Sequence, residues 1–237
     1  EATKLAYDAR NRLLGDADYT TRLGHMLDPK TAQKLAELID PNKAMVDPTP
    51  LSEAVHKDTI YITVVDKDGM AVSLIYSIFH GFGSGIASDK FGILLQNRGA
   101  GFTLEEGHVN ELKGGKRPMH TIIPGMLRQN GRVTMPFGVM GGHYQAAGHA
   151  AFLSGVLDLG MDIQEAMDAP RSFAHDGVLD IEPSVALEVR EDLTARGHVL
   201  ALQESPIGGS QAIYIDPDTG LLTGGSDSRK DGMALGF

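Results

Sequence analysis

The sequence predicts an α+β protein in which β-sheets and α-helices pack in layers, rather than a doubly wound parallel sheet. Three observations support this fold class. Residues 1 to about 40 have the apolar spacing of helices, strand-like runs begin at Thr59, and a few helical segments interrupt those runs without alternating regularly with them.

Two helices are predicted in the first part of the chain. The segment ATKLAYDARNRLLG has one apolar face and ends at Gly15. The segment DPKTAQKLAELIDP predicts a helix that is capped by Asp28, has Pro29 in its first turn and stops before Pro41. Residues 41–58 contain three prolines and no clear period, so we expect them to form an extended, exposed linker.

The remainder of the chain is predicted to consist mostly of strands. The strand-like runs are Ile60–Val65, Met70–Ile78, Gly92–Gln96, Arg132–Phe137, His198–Gln203, Gln211–Ile215 and Leu221–Thr223. Helices are predicted from Tyr144 to about Leu159, over DIQEAMDA, and over VALEVREDLTAR up to Gly197.

Composition excludes several classes of function. The formal net charge of −10 would repel a phosphate backbone, so we expect no nucleic-acid partner. The chain has no cysteine, which excludes disulfides, thiolate metal sites and a cysteine nucleophile. No apolar run approaches the roughly 20 residues that span a bilayer. The compartment is left open between the cytoplasm and the periplasm.

Thr59 is the first candidate for chemistry, because it begins a predicted strand directly after an aspartate and a proline-rich segment. Its hydroxyl is a weak nucleophile unless a base removes the proton, and its own α-amine, with a pKa near 8, would serve once the Asp58–Thr59 bond is cut. Attack of the hydroxyl on the Asp58 carbonyl would make that cut through an ester. The alternative is that Thr59 is an ordinary β-branched strand residue.

Two glycine pairs are candidates for a backbone anion site. Gly141 and Gly142 lie between a predicted strand and the start of a helix, where peptide N–H groups and the helix dipole would point at one spot. A plain tight turn is the alternative. Gly208 and Gly209 precede another strand and would form either a wall of the site or a simple bulge.

The histidines show no metal-ligand spacing. His143 and His149 lie near the start of one predicted helix and His120 follows a basic loop, with no H-x-x-x-H pattern among them. We therefore predict no metal site.

Several segments occur together in an order that resembles the γ-glutamyltranspeptidase family. These segments are DTIYITVVDKDGMAVSLIYSIFHGFGSGI, GILLQNRGAGF, KRPMHTIIPG, GVMGGHYQ, EAMDAPR and GGSQAI followed by GGSDSRKDG. The resemblance to the small, catalytic subunit runs over residues 59–237, and residues 1–58 resemble the tail of the large subunit. The chain thus resembles the C-terminal part of a proenzyme and includes residues on both sides of its cleavage site.

The resemblance implies both fold and catalytic residues. It implies the four-layer αββα sandwich of N-terminal-nucleophile hydrolases, completed by a large-subunit portion that this chain lacks. It implies that Thr59 is the catalytic N-terminal threonine after cleavage at Asp58–Thr59, that Ser77 supports its hydroxyl, and that Gly141 and Gly142 form the oxyanion hole. It implies no metal and no organic cofactor.

The substrate pocket departs from the γ-glutamyl pattern. Phe79, Arg98 and Gly101 stand where the family has Asn, Gln and Asp, and His120–Thr121 replaces a Ser-Ser pair. A donor ammonium facing Arg98 would be repelled, whereas a carboxylate suits the arginine fork. The pattern resembles the amidohydrolase branch of the family, with oxamate-amidohydrolase-like and acylase-like members. A structural ion pair is the alternative role for Arg98.

The predicted activity is therefore cleavage of an amide of a small, carboxylate-bearing acyl donor through an acyl-enzyme. The predicted partners are the large subunit and this small-molecule amide. One alternative is a γ-glutamyltransferase and glutathione hydrolase proper, with donor recognition rearranged. The other is a non-catalytic binding module that has kept the scaffold.

Overall fold

The computed structural model describes residues 1–46 and 59–237. In chain order the helices and strands are α1 (Ala2–Leu13), α2 (Leu23–Met26), α3 (Pro29–Ala36), β1 (Thr59–Val65), β2 (Ala71–Ser77), β3 (Gly125–Gln129), β4 (Arg132–Met140), α4 (Tyr144–Leu157), α5 (Ile163–Asp168), β5 (Ser172–His175), β6 (Val178–Ile181), α6 (Leu187–Ala195), β7 (Leu200–Leu202), β8 (Gly209–Ile215) and β9 (Leu222–Ser226). A short 3₁₀ turn covers Arg98–Gly101.

The described residues form two compact units. The first contains residues 1–46, 98–120 and 170–205, and the second contains residues 59–97, 121–169 and 206–237. In the first unit, α1, α2, α3 and α6 accompany a small sheet of order β5-β6-β7, in which β6 and β7 run parallel. Tyr7 of α1 packs edge-on against Phe173 of β5, with 5.4 Å between the ring centroids.

The second unit is layered. The β1–β2 hairpin packs on a four-stranded antiparallel sheet of order β3-β4-β8-β9, and α4 and α5 cover the other face of that sheet. The core between this sheet and the helices contains Met135, Phe137, Phe152, Met167 and Ala212. The observed mixture of separate helical and antiparallel sheet layers confirms the α+β class.

Most predicted helix starts are confirmed, whereas α3 ends at Ala36 and not directly before Pro41. Asp28 caps α3, since its side chain accepts a hydrogen bond from the N–H of Lys30 at 2.9 Å, and Pro29 is the first helical residue. The DIQEAMDA segment forms α5, which begins with a capping box between Asp162 and Glu165. Each of these capping signals involves residues that are close in sequence, so the sequence alone is sufficient to predict it.

Some predicted elements are wrong or were missed. Residues 92–96 do not form a strand, because their only pairing within the described part of the chain is an isolated bridge between Ala87 and Leu94. The strands β3, β5 and β6 were not predicted, and β4 extends to Met140, beyond the predicted end at Phe137. Residues 47–58, which include most of the predicted linker and Asp58, lie outside the described residues.

Candidate active site

Thr59 and Ser77 form the first part of the candidate site. They face each other as the first residue of β1 and the last residue of β2. The Thr59 Oγ1 hydroxyl donates to Ser77 Oγ at 3.2 Å, and the backbone N–H of Phe79 donates to the same oxygen at 3.0 Å. Ser77 therefore fixes the direction of the Thr59 hydroxyl, which is β-branched and already limited at χ1. Asp58, the other half of the predicted cleavage site, lies outside the described residues.

The turn after β2 is strained. Phe79 has φ of +79°, although it carries a bulky side chain, and it is buried. Its ring stacks on His80 at 4.7 Å. Asn97 holds the turn, because its Oδ1 accepts from the N–H of His80 at 3.1 Å and its Nδ2 donates to His80 Nδ1 at 2.7 Å. The sequence offers no spacing signal that singles out Asn97 for this role.

The predicted oxyanion glycines form the turn between β4 and α4. Their φ angles are +128° at Gly141 and +58° at Gly142. The carbonyl of Gly141 accepts from the N–H of Tyr144 at 3.1 Å, and that of Gly142 accepts from the N–H of Gln145 at 3.3 Å. Because the C=O and N–H of a trans peptide point in opposite directions, the N–H of Gly142 points away from the start of α4.

The second glycine pair lies against the first. A Cβ atom on Gly141 would come within 2.9 Å of Gly208 Cα, and one on Gly208 would come within 2.5 Å of the carbonyl oxygen of Met140. Gly209 pairs with Met140 in the ladder between β8 and β4. Two backbones can approach this closely only without side chains, so the two glycine pairs belong to a single feature of the fold.

The hairpin that carries Thr59 packs directly on β4. A Cβ atom on Gly138 would overlap with the ring of Tyr61, so the ring lies directly against the glycine backbone. The Tyr61 hydroxyl bonds Ser73 Oγ at 2.7 Å, and Ser73 Oγ donates to the carbonyl of Phe137 at 3.4 Å. Thr59 is two residues from Tyr61, and Gly141 is three residues from Gly138. The strand that begins with Thr59 and the strand that leads to the glycine turn are therefore stacked on each other.

Arg98, Gly101 and His120 belong to the first unit. Arg98 is buried, and burial lowers the pKa of its guanidinium below the ordinary value. Asn110 connects the backbone at Gly101 with the backbone at Met119, next to His120. Its Nδ2 donates to the Gly101 carbonyl at 2.6 Å, and its Oδ1 accepts from the N–H of Met119 at 2.8 Å. His120 is exposed, and its Nδ1 lies 2.8 Å from the Pro118 carbonyl. Sequence reasoning did not identify Asn110.

Thr121 belongs to the second unit, where it is buried. Its carbonyl accepts a hydrogen bond at 2.8 Å from the Gln145 side chain, whose amide is oriented by its two carbonyl neighbours. Over residues 1–46 and 59–237, no group of three or more His, Asp or Glu side chains is arranged to hold a metal ion. Within the same ranges, no helix is both long and apolar enough to cross a membrane.

Comparison with known proteins gives the site a family context. The sequence profile described as gamma-glutamyltranspeptidase matches residues 1–237. The glutathione hydrolase-like YwrD proenzyme of Bacillus subtilis (strain 168) is 35% identical over 248 residues, and the oxamate amidohydrolase proenzyme of Klebsiella pneumoniae is 36% identical over 247 residues. Each alignment covers 100% of this chain and 46% of the relative, so the chain spans about half of their length.

A solved structure extends the comparison to the fold. The cephalosporin acylase from Bacillus halodurans superimposes with a TM-score of 0.88 at 35% sequence identity. The superposition covers 97% of this chain and 42% of that chain.

Proposed function

Because the chain belongs to the gamma-glutamyltranspeptidase family, we propose that it carries the nucleophile and oxyanion hole of an N-terminal-threonine amidohydrolase. The observation that supports this most is the hydrogen bond from Thr59 Oγ1 to Ser77 Oγ at the head of β1. An ordinary strand threonine needs no such partner. Here the partner also accepts the N–H of Phe79, so the strained turn after β2 and the hydroxyl are held by one oxygen.

Maturation is the first step of the proposal. Thr59 Oγ1 attacks the carbonyl carbon of Asp58, the peptide C–N bond breaks, and the acyl group moves to oxygen as an ester. Water then hydrolyses the ester, which leaves a free carboxylate on Asp58 and a free α-amine on Thr59. The residues assigned here are 1–58 to the large-subunit tail and 59–237 to the small subunit.

The catalytic cycle repeats the same chemistry on a substrate. The α-amine of Thr59 accepts the proton of Oγ1, which attacks the amide carbon of the substrate. The N–H groups of Gly141 and Gly142 stabilise the oxyanion of the tetrahedral intermediate. The C–N bond then breaks, the amine leaves with the proton, and the acyl-enzyme ester is hydrolysed by water or passed to an acceptor amine.

The substrate class rests on Arg98. A buried guanidinium is stabilised by an anion, and a planar carboxylate matches its fork. The proposed donor is therefore a small acyl group that bears a carboxylate. Oxamate, the compound in the name of the Klebsiella relative, is an example. The further residues that we assign to donor binding are Phe79, Gly101, His120, Thr121, Gly208 and Gly209.

The proposed partner is the rest of the precursor. The outer face of the β1–β2 hairpin consists of three cross-strand pairs of apolar side chains, each 41% to 62% exposed: Ile60 with Tyr76, Ile62 with Leu74, and Val64 with Val72. A continuous apolar face of this kind requires a cover. We assign the cover to the large-subunit portion, which would supply the fourth layer of an αββα sandwich. Leu74→Asp should then separate the two pieces on size exclusion, whereas the exposed control Leu159→Asp should not.

Intact mass spectrometry tests the proposed nucleophile. The mass of the full-length protein is measured before and after a day at neutral pH. Thr59→Ala and a matched control from the same strand, Thr63→Ala, are measured in the same way. We expect the wild type and Thr63→Ala to split between Asp58 and Thr59 and to hydrolyse monoamides of small dicarboxylic acids. Thr59→Ala should do neither. Cleavage or turnover by Thr59→Ala would refute the assignment.

A glutathione hydrolase is the second candidate, and the name of the Bacillus relative favours it. Rapid turnover of a γ-glutamyl anilide by the cleaved protein would support this candidate over a carboxylate amide. An uncut chain without turnover would instead support the third reading, a binding module on the same scaffold.

A further inference from the structure

Within residues 1–46 and 59–237, no strand completes the edge of β4 next to the glycine turn. The ladder between β3 and β4 ends at the pair Gly125 and Phe137. Beyond it, Val139 is buried and lies two residues before Gly141. Peptide groups at a buried position require hydrogen-bond partners. Two side chains of α4 supply them.

His149 provides the partner for the N–H of Val139. That N–H donates to His149 Nε2 at 3.3 Å, and the ring makes a second hydrogen bond with the backbone of Ile123. Since Nε2 is an acceptor here, the proton of the neutral ring lies on Nδ1 and is donated to the Ile123 carbonyl. Burial lowers the pKa of His149 to about 4, which keeps the ring neutral and this pattern intact at neutral pH.

Gln145 provides the partner for the carbonyl of Val139. Its Nε2 donates to that oxygen at 3.2 Å and to the carbonyl of Thr121 at 2.8 Å. Gln145 is 1% exposed, so water does not compete for these bonds. Positions 145 and 149 are four residues apart and share one face of α4. Together they bridge β4 to the segment 121–123, which runs beside it without pairing.

We propose that Gln145 and His149 are positioning residues, which fix the Val139 peptide groups and thereby the direction of the oxyanion N–H groups at Gly141 and Gly142. This inference rests on the proposed function, because it presumes that the glycine turn binds the oxyanion. The physical reason is geometric. A displacement of about 1 Å at a catalytic group costs roughly 100-fold in rate. The turn itself consists of two glycines, which have no side chains with which to fix the direction of their own peptide groups.

Three variants of the full-length protein test this inference. His149→Phe keeps an aromatic ring but cannot accept the Val139 N–H. His149→Gln keeps one acceptor and one donor on a side chain of similar length. Phe152→Leu is the stability control, because Phe152 lies on the same helix and packs on Phe137, with 5.8 Å between the ring centroids, in the core between the sheet and the helices. The readouts are kcat and KM for the best amide substrate, the Tm, and hydrogen exchange of the amides of residues 139–142.

We expect His149→Phe to lower kcat by about 100-fold with KM within about threefold, and to speed exchange of the amides of residues 139–142. His149→Gln should recover most of kcat. Phe152→Leu should lower the Tm and leave kcat near that of the wild type. The inference is overturned if His149→Phe keeps kcat within threefold, or if Phe152→Leu loses as much kcat for an equal loss of Tm.

Failure of the proposed function is visible separately. Thr59→Ala that retains turnover refutes the nucleophile, whatever the His149 variants do. The exchange measurement then decides about the positioning residues without reference to activity, since unchanged exchange in His149→Phe means that His149 does not hold the turn.

Discussion

Substitution of Gly141 by alanine is the sharpest test of the glycine turn. Gly141 has φ of +128°, a region that residues with a Cβ rarely adopt. The new Cβ would also meet Gly208 Cα at 2.9 Å, which is backbone and has no flexible end that can move aside. Either the turn rotates or β4 and β8 separate locally, and both changes move the peptide N–H groups.

Two magnitudes follow from this geometry. Backbone strain at such a position costs about 1 to 3 kcal/mol of unfolding free energy. Loss of one oxyanion donor costs about 10²- to 10³-fold in kcat, or roughly 3 to 4 kcal/mol of transition-state stabilisation. Because an oxyanion donor acts on the transition state and not on the bound substrate, the proposed role of the turn predicts a loss in kcat with little change in KM.

The assay compares Gly141→Ala with Gly160→Ala in the cleaved protein. Gly160 also has a positive φ, +70°, but a Cβ there would meet nothing within 4 Å. We expect Gly160→Ala to lose about 1 kcal/mol in urea unfolding and to keep its kcat. Gly141→Ala should lose at least about 100-fold in kcat. The reasoning is refuted if Gly141→Ala keeps kcat within threefold of Gly160→Ala.

Three further outcomes are expected. Arg98→Ala should raise KM for carboxylate-bearing amides by about 10- to 100-fold and leave neutral amides unaffected, whereas an equal change for both returns Arg98 to a structural role. Asp227→Ala should lower the free energy of unfolding in urea by about 3 to 5 kcal/mol, because the buried Asp227 carboxylate accepts from the N–H of Ser210 at 2.8 Å and pairs with Arg229. A loss below about 1 kcal/mol would contradict this expectation. Burial lowers the pKa of His149 to about 4 from 6.5, so the unfolded chain binds the proton first, and stability should fall by about 2 to 3 kcal/mol as the pH drops from 6.5 to 4. Urea titrations should show less of this fall in His149→Gln.

The helices were the more predictable part of the fold. The capping residue Asp28 and the proline after it define the start of α3 within four residues of sequence, and the glycine turn before Tyr144 defines the start of α4. A strand depends instead on a partner elsewhere in the chain. Residues 92–96 have strand-like side chains but form only the Ala87–Leu94 bridge.

The missed hairpin of β5 and β6 had a readable signal. Asp176 and Gly177 connect the two strands with φ angles of +47° and +77°, as expected for the Asp-Gly pair of a tight hairpin. The strands on either side have only four residues each, too few for an alternating pattern to be recognised.

The candidate site also contains residues that the sequence alone can single out and residues that only the fold identifies. Thr59 and the glycine pairs are distinctive in sequence, because nucleophile type and missing side chains are properties of single residues. The residues that hold the backbone at His80, Gly101 and Thr121 are Asn97, Asn110 and Gln145, each nine or more residues away from that position. Only the three-dimensional path of the chain identifies such partners. The spacing of Gln145 and His149 on one helix face was the single local hint.

The pairing of Thr59 with Ser77 has a consequence for the entropy of the proposed nucleophile. Chain ends ordinarily fray, and a catalytic group on a frayed end would lose that freedom again in every turnover. If the chain is cut before Thr59, the new end is already the first rung of a seven-residue ladder with β2. Folding of the hairpin would then immobilise amine and hydroxyl together, once, before any substrate arrives.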